Sequence, residues 1–261
     1  HALYGYGFVG VVLISTLFLR FVGKEYWMYL TFFWAALPVV ASLLLMVAPL
    51  PDMDMGQSGA KAAGSKYRTK GLLLCMGCIF LGACAENTMS NWVSVYAEIA
   101  LGIPKIWGDI LGMSLFAALL ALTRTVYAKY GKNIFNVLII SMSGAAVCYV
   151  GTALSPYAAL SVIACAALGI CTAMLWPGTL IFMEEKIPAA GVAAYALMAA
   201  GGDLGASVAP QTMGIVVDSL SRTRWAETLG GTLSLTPEQV GFKAGMLIAA
   251  VFPILGVFLL A

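Results

Sequence analysis

The third apolar stretch of the chain carries polar side chains at helical spacing. Glu86, Asn87, Ser90, Asn91 and Ser94 lie at offsets of 0, 1, 4, 5 and 8 residues, which places them on one face of a helix. A carboxylate inside a membrane is costly unless it meets water or a partner, and the amides and hydroxyls beside it can hydrogen-bond a hydroxylated solute. The stripe predicts a water-filled cavity, with Glu86, Asn87 and Asn91 as candidate binding residues. The alternative is a seam of helix–helix hydrogen bonds.

Two tryptophans are candidates for the solute-binding site, one beside the polar stripe and one beside a proline within an apolar stretch. Trp92 follows Asn91 directly, and Trp176 precedes Pro177 in the sixth apolar stretch. Pro177 has no amide hydrogen and leaves the carbonyl of Ala173 without its helical donor, so we expect a helix break there. Either indole ring can present an apolar face to a solute or pack between helices. Both roles stay open for both rings.

Asp203 is the second carboxylate within an apolar stretch, in the small-residue run 199–207. Small residues let a neighbouring helix approach closely, which explains the run but not the carboxylate. A low dielectric favours the neutral form of a carboxyl group, and the surrounding glycine, alanine and leucine side chains cannot solvate its charge. Asp203 is therefore the candidate for proton coupling, and Glu86 the candidate for solute contact. The alternative for Asp203 is a structural pairing with a nearby polar or backbone group.

The remaining reactive side chains do not form a recognisable catalytic or metal site. Cys75 and Cys78 form a C-x-x-C pair, but all six cysteines lie in apolar stretches, where a thiol behaves as a small hydrophobe. His1 is the only histidine, and no nucleophile and base stand together. The net charge of +2 is spread over short loops rather than gathered in a patch. We therefore predict no enzyme activity, no metal or cofactor, and no nucleic-acid partner.

Composition sets the fold class that must position these residues. Of the 261 residues, 61% are apolar and only 10% are charged, against about 25% charged in a soluble domain. The apolar runs are long and apolar all round, which fits helices rather than the alternating strands of a barrel. We predict an all-α integral membrane protein of about eight spans. The expected spans are 3–20, 26–50, 71–97, 107–128, 134–153, 157–182, 191–218 and 241–261.

Two longer connections divide these spans. Residues 51–70 are rich in Gly, Ser and Lys, as flexible linkers are, and residues 219–240 end in a helix-start signal at Pro237. The basic residues at 61–70 form the densest cluster, which places that loop in the cytoplasm. Arg124 lies near the predicted end of the fourth span and fits the same topological signal. Its alternative role is that of a conformational latch.

The third span also carries a family resemblance. Glu86, with Trp92 six residues later and Tyr96 four after that, resembles helix seven of the fucose-permease-like branch of the major facilitator superfamily. The basic loop 127–132 is similar to that family's loop between helices eight and nine. The segment from Gly202 to Asp218 is similar to its helix eleven, and the Trp176-Pro177 break falls in its helix ten.

This resemblance implies an organisation and a function. Residues 1–50 would be the last two helices of an N-terminal bundle, 51–70 the central cytoplasmic loop, and 71–261 the C-terminal six-helix bundle. Helices one to four of the same protein would then be partners missing from this chain. The family implies a multi-pass transporter of the plasma (inner) membrane that moves a sugar or related polar solute, with protons as the candidate coupling ion, by rocking one bundle against the other. The alternatives are an efflux carrier for amphipathic compounds and a non-transporting sensor or structural subunit.

Overall fold

The architecture is helical throughout the part of the chain that the structure describes. This computed structural model describes residues 2–49, 66–188 and 190–261. Eight helices in these ranges are long and apolar enough to cross a membrane, which confirms the predicted all-α, multi-pass fold class. The eight are α1 (Ala2–Phe21), α2 (Trp27–Val47), α3 (Lys66–Ile99), α4 (Lys105–Tyr130), α5 (Ile134–Leu154), α6 (Ala158–Lys186), α7 (Val192–Leu220) and α9 (Pro237–Leu260).

The two longer connections differ in how much of them is described. Residues 50–65, most of the predicted linker, lie outside the described residues, and the chain is already helical from Lys66 onward. The second connection contains a short helix that the sequence did not predict, α8 (Arg224–Leu233), whose first turn is capped by the Thr223 side chain. The start signal at Pro237 is followed by α9, which begins with a capping box between Thr236 and Gln239.

Helix α3 lies at the centre of the bundle and packs against α4, α6, α7 and α9. Two buried tyrosines tie it to α5 through carbonyl oxygens. The Tyr149 hydroxyl donates to the Ala85 carbonyl at 2.7 Å, and the Tyr96 hydroxyl donates to the Thr152 carbonyl, also at 2.7 Å. Because a buried phenol must find a partner, these hydrogen bonds fix the rotation of α3 and determine which of its side chains face α4 and α6.

The first two helices meet the others through α1. Gly5 of α1 lies so close to Ala121 of α4 that a side chain there would overlap it, and the Tyr6 and Thr125 hydroxyls are 3.0 Å apart. Helix α2 packs mainly against α1 and exposes most of its apolar side chains. The N-terminal end of α1 is thereby held against the half of α4 that contains Arg124.

Candidate functional site

A buried ion pair joins α3 to α4 inside their membrane-spanning segments. Arg124 Nη2 lies 3.0 Å from each carboxylate oxygen of Glu86. Glu86 is 7% exposed and Arg124 is 5% exposed. Glu86 lies 13 residues before the end of α3 at Ile99, or about 20 Å at 1.5 Å per residue. Glu86 therefore lies well inside α3, whereas Arg124 lies six residues, or about 9 Å, from the end of α4 at Tyr130.

The same guanidinium also reaches the interruption in α6. This helix consists of two halves, Ala158–Thr172 and Leu175–Lys186, separated by residues 173 and 174. Arg124 Nε donates to the Ala173 carbonyl oxygen at 2.7 Å. Ala173 is four residues before Pro177, so its carbonyl is the one whose helical donor the proline ring removes. One side chain thus binds a carboxylate on α3 and a free carbonyl on α6.

An aromatic ring from α1 completes the surroundings of this pair. The ring centre of Tyr4 lies 5.8 Å from the guanidinium carbon of Arg124, within the range of a cation–π contact. Tyr4 belongs to the first pair of helices, whereas Glu86, Arg124 and Ala173 belong to the later six. We call this group of four residues the Arg124 centre. It is the place where α1, α3, α4 and α6 meet.

The structure divides the predicted polar stripe on α3. Glu86 turns toward Arg124, and the buried Ser94 hydroxyl turns toward Asp109 of α4. Asn91 is exposed and Asn87 is half-buried. Both amides donate to their own helix, Asn87 to the Ala83 carbonyl at 3.0 Å and Asn91 to the Asn87 carbonyl at 2.8 Å.

Each of the two asparagines thus bonds to a carbonyl one turn earlier on α3, and we call Asn87 and Asn91 the asparagine ladder. Their side chains are more accessible than that of Glu86 and do not form one surface with it. Glu86 is paired across the interface between α3 and α4 rather than along its own helix. Its charge is met by a guanidinium 38 residues away in the sequence.

Both candidate tryptophans contribute to helix packing. The Trp92 indole N–H donates to the Pro210 carbonyl of α7 at 3.0 Å, and its ring meets Phe242 of α9 edge-on at 5.9 Å. Trp176 lies against α7 at Gly202, where any side chain would overlap its ring. Each indole is half-buried, so part of each ring stays accessible. The packing role, which the sequence left open, is present for both.

Asp203 lies on the exposed side of α7. Gly202 and Gly205 of the same run are buried. At Gly205 a side chain would overlap the Phe80 backbone of α3. The small-residue run thus brings α7 close to α3, which makes this the most extensive helix contact of the fold. The structure records no ion pair for the Asp203 carboxylate within the described ranges. Asp203 and Glu86 therefore belong to different surfaces.

A second polar cluster lies at the other end of α4, and sequence reasoning did not find it. Asp109 accepts hydrogen bonds from Ser94 of α3 and from Thr16 of α1, the latter at 3.4 Å. Lys105 lies 3.9 Å from Asp109 and 3.8 Å from Glu98. Asp109 lies in a π-helical stretch, Gly108–Ser114, a rare conformation that is frequent at functional sites. The available signal was the i, i+4 spacing of Lys105 and Asp109.

The thiols are placed as their apolar surroundings predict. Cys75 and Cys78 are both buried and unpaired, and Cys75 belongs to the apolar cluster beside α7. Within the described ranges, no three histidine, cysteine or acidic side chains converge in a way that would hold a metal ion.

The chemistry available at the Arg124 centre is the exchange of hydrogen bonds and protons. A carboxylate and a guanidinium can both bind hydroxyl groups, and the open amide oxygens of the asparagine ladder lie on the same helix as the carboxylate. No family model, curated protein or solved structure matches this chain. The likeness to the major facilitator superfamily thus remains a resemblance of motifs.

Proposed function

We propose that this chain is part of a membrane transporter of the major facilitator type that moves a small polar solute, a sugar or related nutrient. In this proposal residues 71–261 form the C-terminal bundle and residues 1–50 the last two helices of the N-terminal bundle, with 51–70 as the cytoplasmic loop between them. Helices one to four of the same protein complete the cavity, and transport across the plasma (inner) membrane proceeds by alternating access. Protons are the candidate coupling ion.

The observation that carries the proposal is the Glu86–Arg124 pair, buried between two spanning helices. Charges inside a membrane are costly to bury and commonly mark solute or ion pathways. A buried ion pair adds little net stability compared with apolar side chains of the same volume, so packing alone does not explain it. The pair also touches a helix break, an element that can move. A passive structural subunit has no evident use for this combination.

The proposed solute site extends from the Arg124 centre along the exposed side of α3. The Asn91 amide oxygen is open because only its nitrogen is used within the helix. Asn87 lies between Asn91 and Glu86 in the sequence and offers the same group. A solute hydroxyl bound there would compete for the Glu86 carboxylate. The accessible parts of the Trp92 and Trp176 rings offer apolar faces for a sugar ring.

A second candidate function is efflux of amphipathic compounds, and one cavity favours it. This cavity, of about 740 Å³, is an open groove on the surface between α4 and α6, and all of its lining side chains are apolar. Leu111, Leu115 and Leu119 line it from α4, and Val162 and Ile170 line it from α6. An apolar cavity of this size accommodates an amphipathic molecule more readily than a sugar.

The test is uptake by the reconstituted full-length protein, including helices one to four, in proteoliposomes. A panel of labelled hexoses, pentoses and polyols is compared with a lipophilic cation, with and without a pH gradient. Saturable uptake of one polar solute, reduced by Asn91→Leu, supports the proposal. Saturable movement of the cation alone supports efflux, and binding without uptake supports a sensor. In either of the last two cases the sugar-carrier proposal is wrong.

A further inference from the structure

The Arg124 side chain contacts three other helices at once. Its Nη2 binds Glu86, its Nε donates to the Ala173 carbonyl, and its planar group lies under the Tyr4 ring. The acceptor on α6 is the carbonyl that Pro177 leaves without a donor. At 2.7 Å the Nε bond is short, as expected for a charged donor.

We propose that Arg124 is a positioning residue for the α6 break. Its Nε–H takes the place of the amide hydrogen that Pro177 lacks, and Glu86 holds the guanidinium in position to do so. The break is thereby set by a side chain on α4 rather than by α6 itself. An unsatisfied buried carbonyl is costly, so the second half of α6 depends on this bond for its position.

This arrangement links the state of Glu86 to the geometry of α6. A solute hydroxyl that draws the Glu86 carboxylate away from Arg124 also weakens the hydrogen bond from Arg124 Nε to the Ala173 carbonyl. That consequence rests on the proposed transport function, whereas the positioning role itself rests only on the contacts. The test below therefore uses no transport measurement, so the two proposals can fail separately.

Arg124→Lys is the matched variant for this role. Lysine keeps a positive charge within reach of Glu86, but a methylene group stands where arginine has Nε, so the donor to Ala173 is lost. Pro177→Ala restores an amide hydrogen for the same carbonyl. The two substitutions therefore act on one acceptor from opposite sides. Pro38→Ala in α2 is the control, because it also removes a proline from a spanning helix but lies on an element that packs against α1.

The experiment is a double-mutant cycle on the purified protein, read by melting temperature and by hydrogen–deuterium exchange. We expect Pro177→Ala to raise the melting temperature by several degrees more in Arg124→Lys than in wild type, with no such coupling for Pro38→Ala. Arg124→Lys should speed amide exchange selectively at 175–180, and Pro177→Ala should reverse this. Equal effects of Pro177→Ala in both backgrounds, or exchange raised evenly along α3, α4 and α6, would overturn the proposal. If Arg124→Lys fails to fold, recovery of folding by Pro177→Ala supports the positioning role, and failure to recover contradicts it.

Discussion

Substitution of Glu86 and Arg124, singly and together, measures what the buried pair contributes. Glu86→Gln leaves the guanidinium charged and buried without its counter-ion. Arg124→Met likewise leaves the Glu86 carboxylate buried without its counter-ion. Removing one partner of a buried pair typically costs about 3–5 kcal/mol. Such a loss is a large fraction of the 5–15 kcal/mol that is typical of whole proteins.

The double variant Glu86→Gln/Arg124→Met should be more stable than either single variant, because no lone charge remains. It still loses the donor to the Ala173 carbonyl, which costs about 1–3 kcal/mol when a buried acceptor is left unsatisfied. The free energy of unfolding, measured by denaturant titration in mixed micelles, gives the coupling between the two residues. Single losses below about 1 kcal/mol, or losses that simply add, would refute a desolvated ion pair.

Three further predictions concern the other candidate residues. Asn91→Leu should weaken solute binding about tenfold while leaving the melting temperature unchanged, because it removes one exposed hydrogen-bonding amide; unaltered binding would make the asparagine ladder a packing feature. Asp203→Asn should abolish accumulation driven by a pH gradient but preserve solute exchange, and normal accumulation in this exposed-site variant would remove Asp203 as the proton-coupling residue. Gly205→Val should lower the melting temperature strongly because its side chain would overlap the Phe80 backbone, whereas Gly10→Ala, with open space around it, should not; equal shifts would contradict the close approach of α3 and α7.

The fold class could be predicted from sequence because it depends on local properties. Long apolar runs bounded by polar loops predict spanning helices wherever they occur, and the helix start at Pro237 follows from the capping preferences of Thr236 and Gln239. Helix α8 was missed because it is short and amphipathic, and the hydropathy pattern of a membrane protein does not register such helices.

The centre of the candidate site could not be predicted, since it depends on a tertiary contact. Glu86 is recognisable from sequence as a carboxylate in need of a partner. Arg124 lies four residues before the predicted end of the fourth span at 128, so the sequence fits a loop-end charge as well as a conformational latch. Likewise, Pro177 predicts that Ala173 loses its donor, but nothing local predicts that an arginine on α4 replaces it. Two opposite charges in neighbouring spans were the available signal.

The most direct test of a carrier function is exchange of a labelled solute across the proteoliposome membrane at equal concentrations on both sides. The panel solute with the highest uptake is used, and wild type is compared with Asn91→Leu and Pro177→Ala. The account predicts saturable exchange in wild type, a raised half-saturation concentration in Asn91→Leu, and slower exchange with little change in affinity in Pro177→Ala. Absence of saturable exchange for every panel solute, from protein that is folded and inserted, would contradict it.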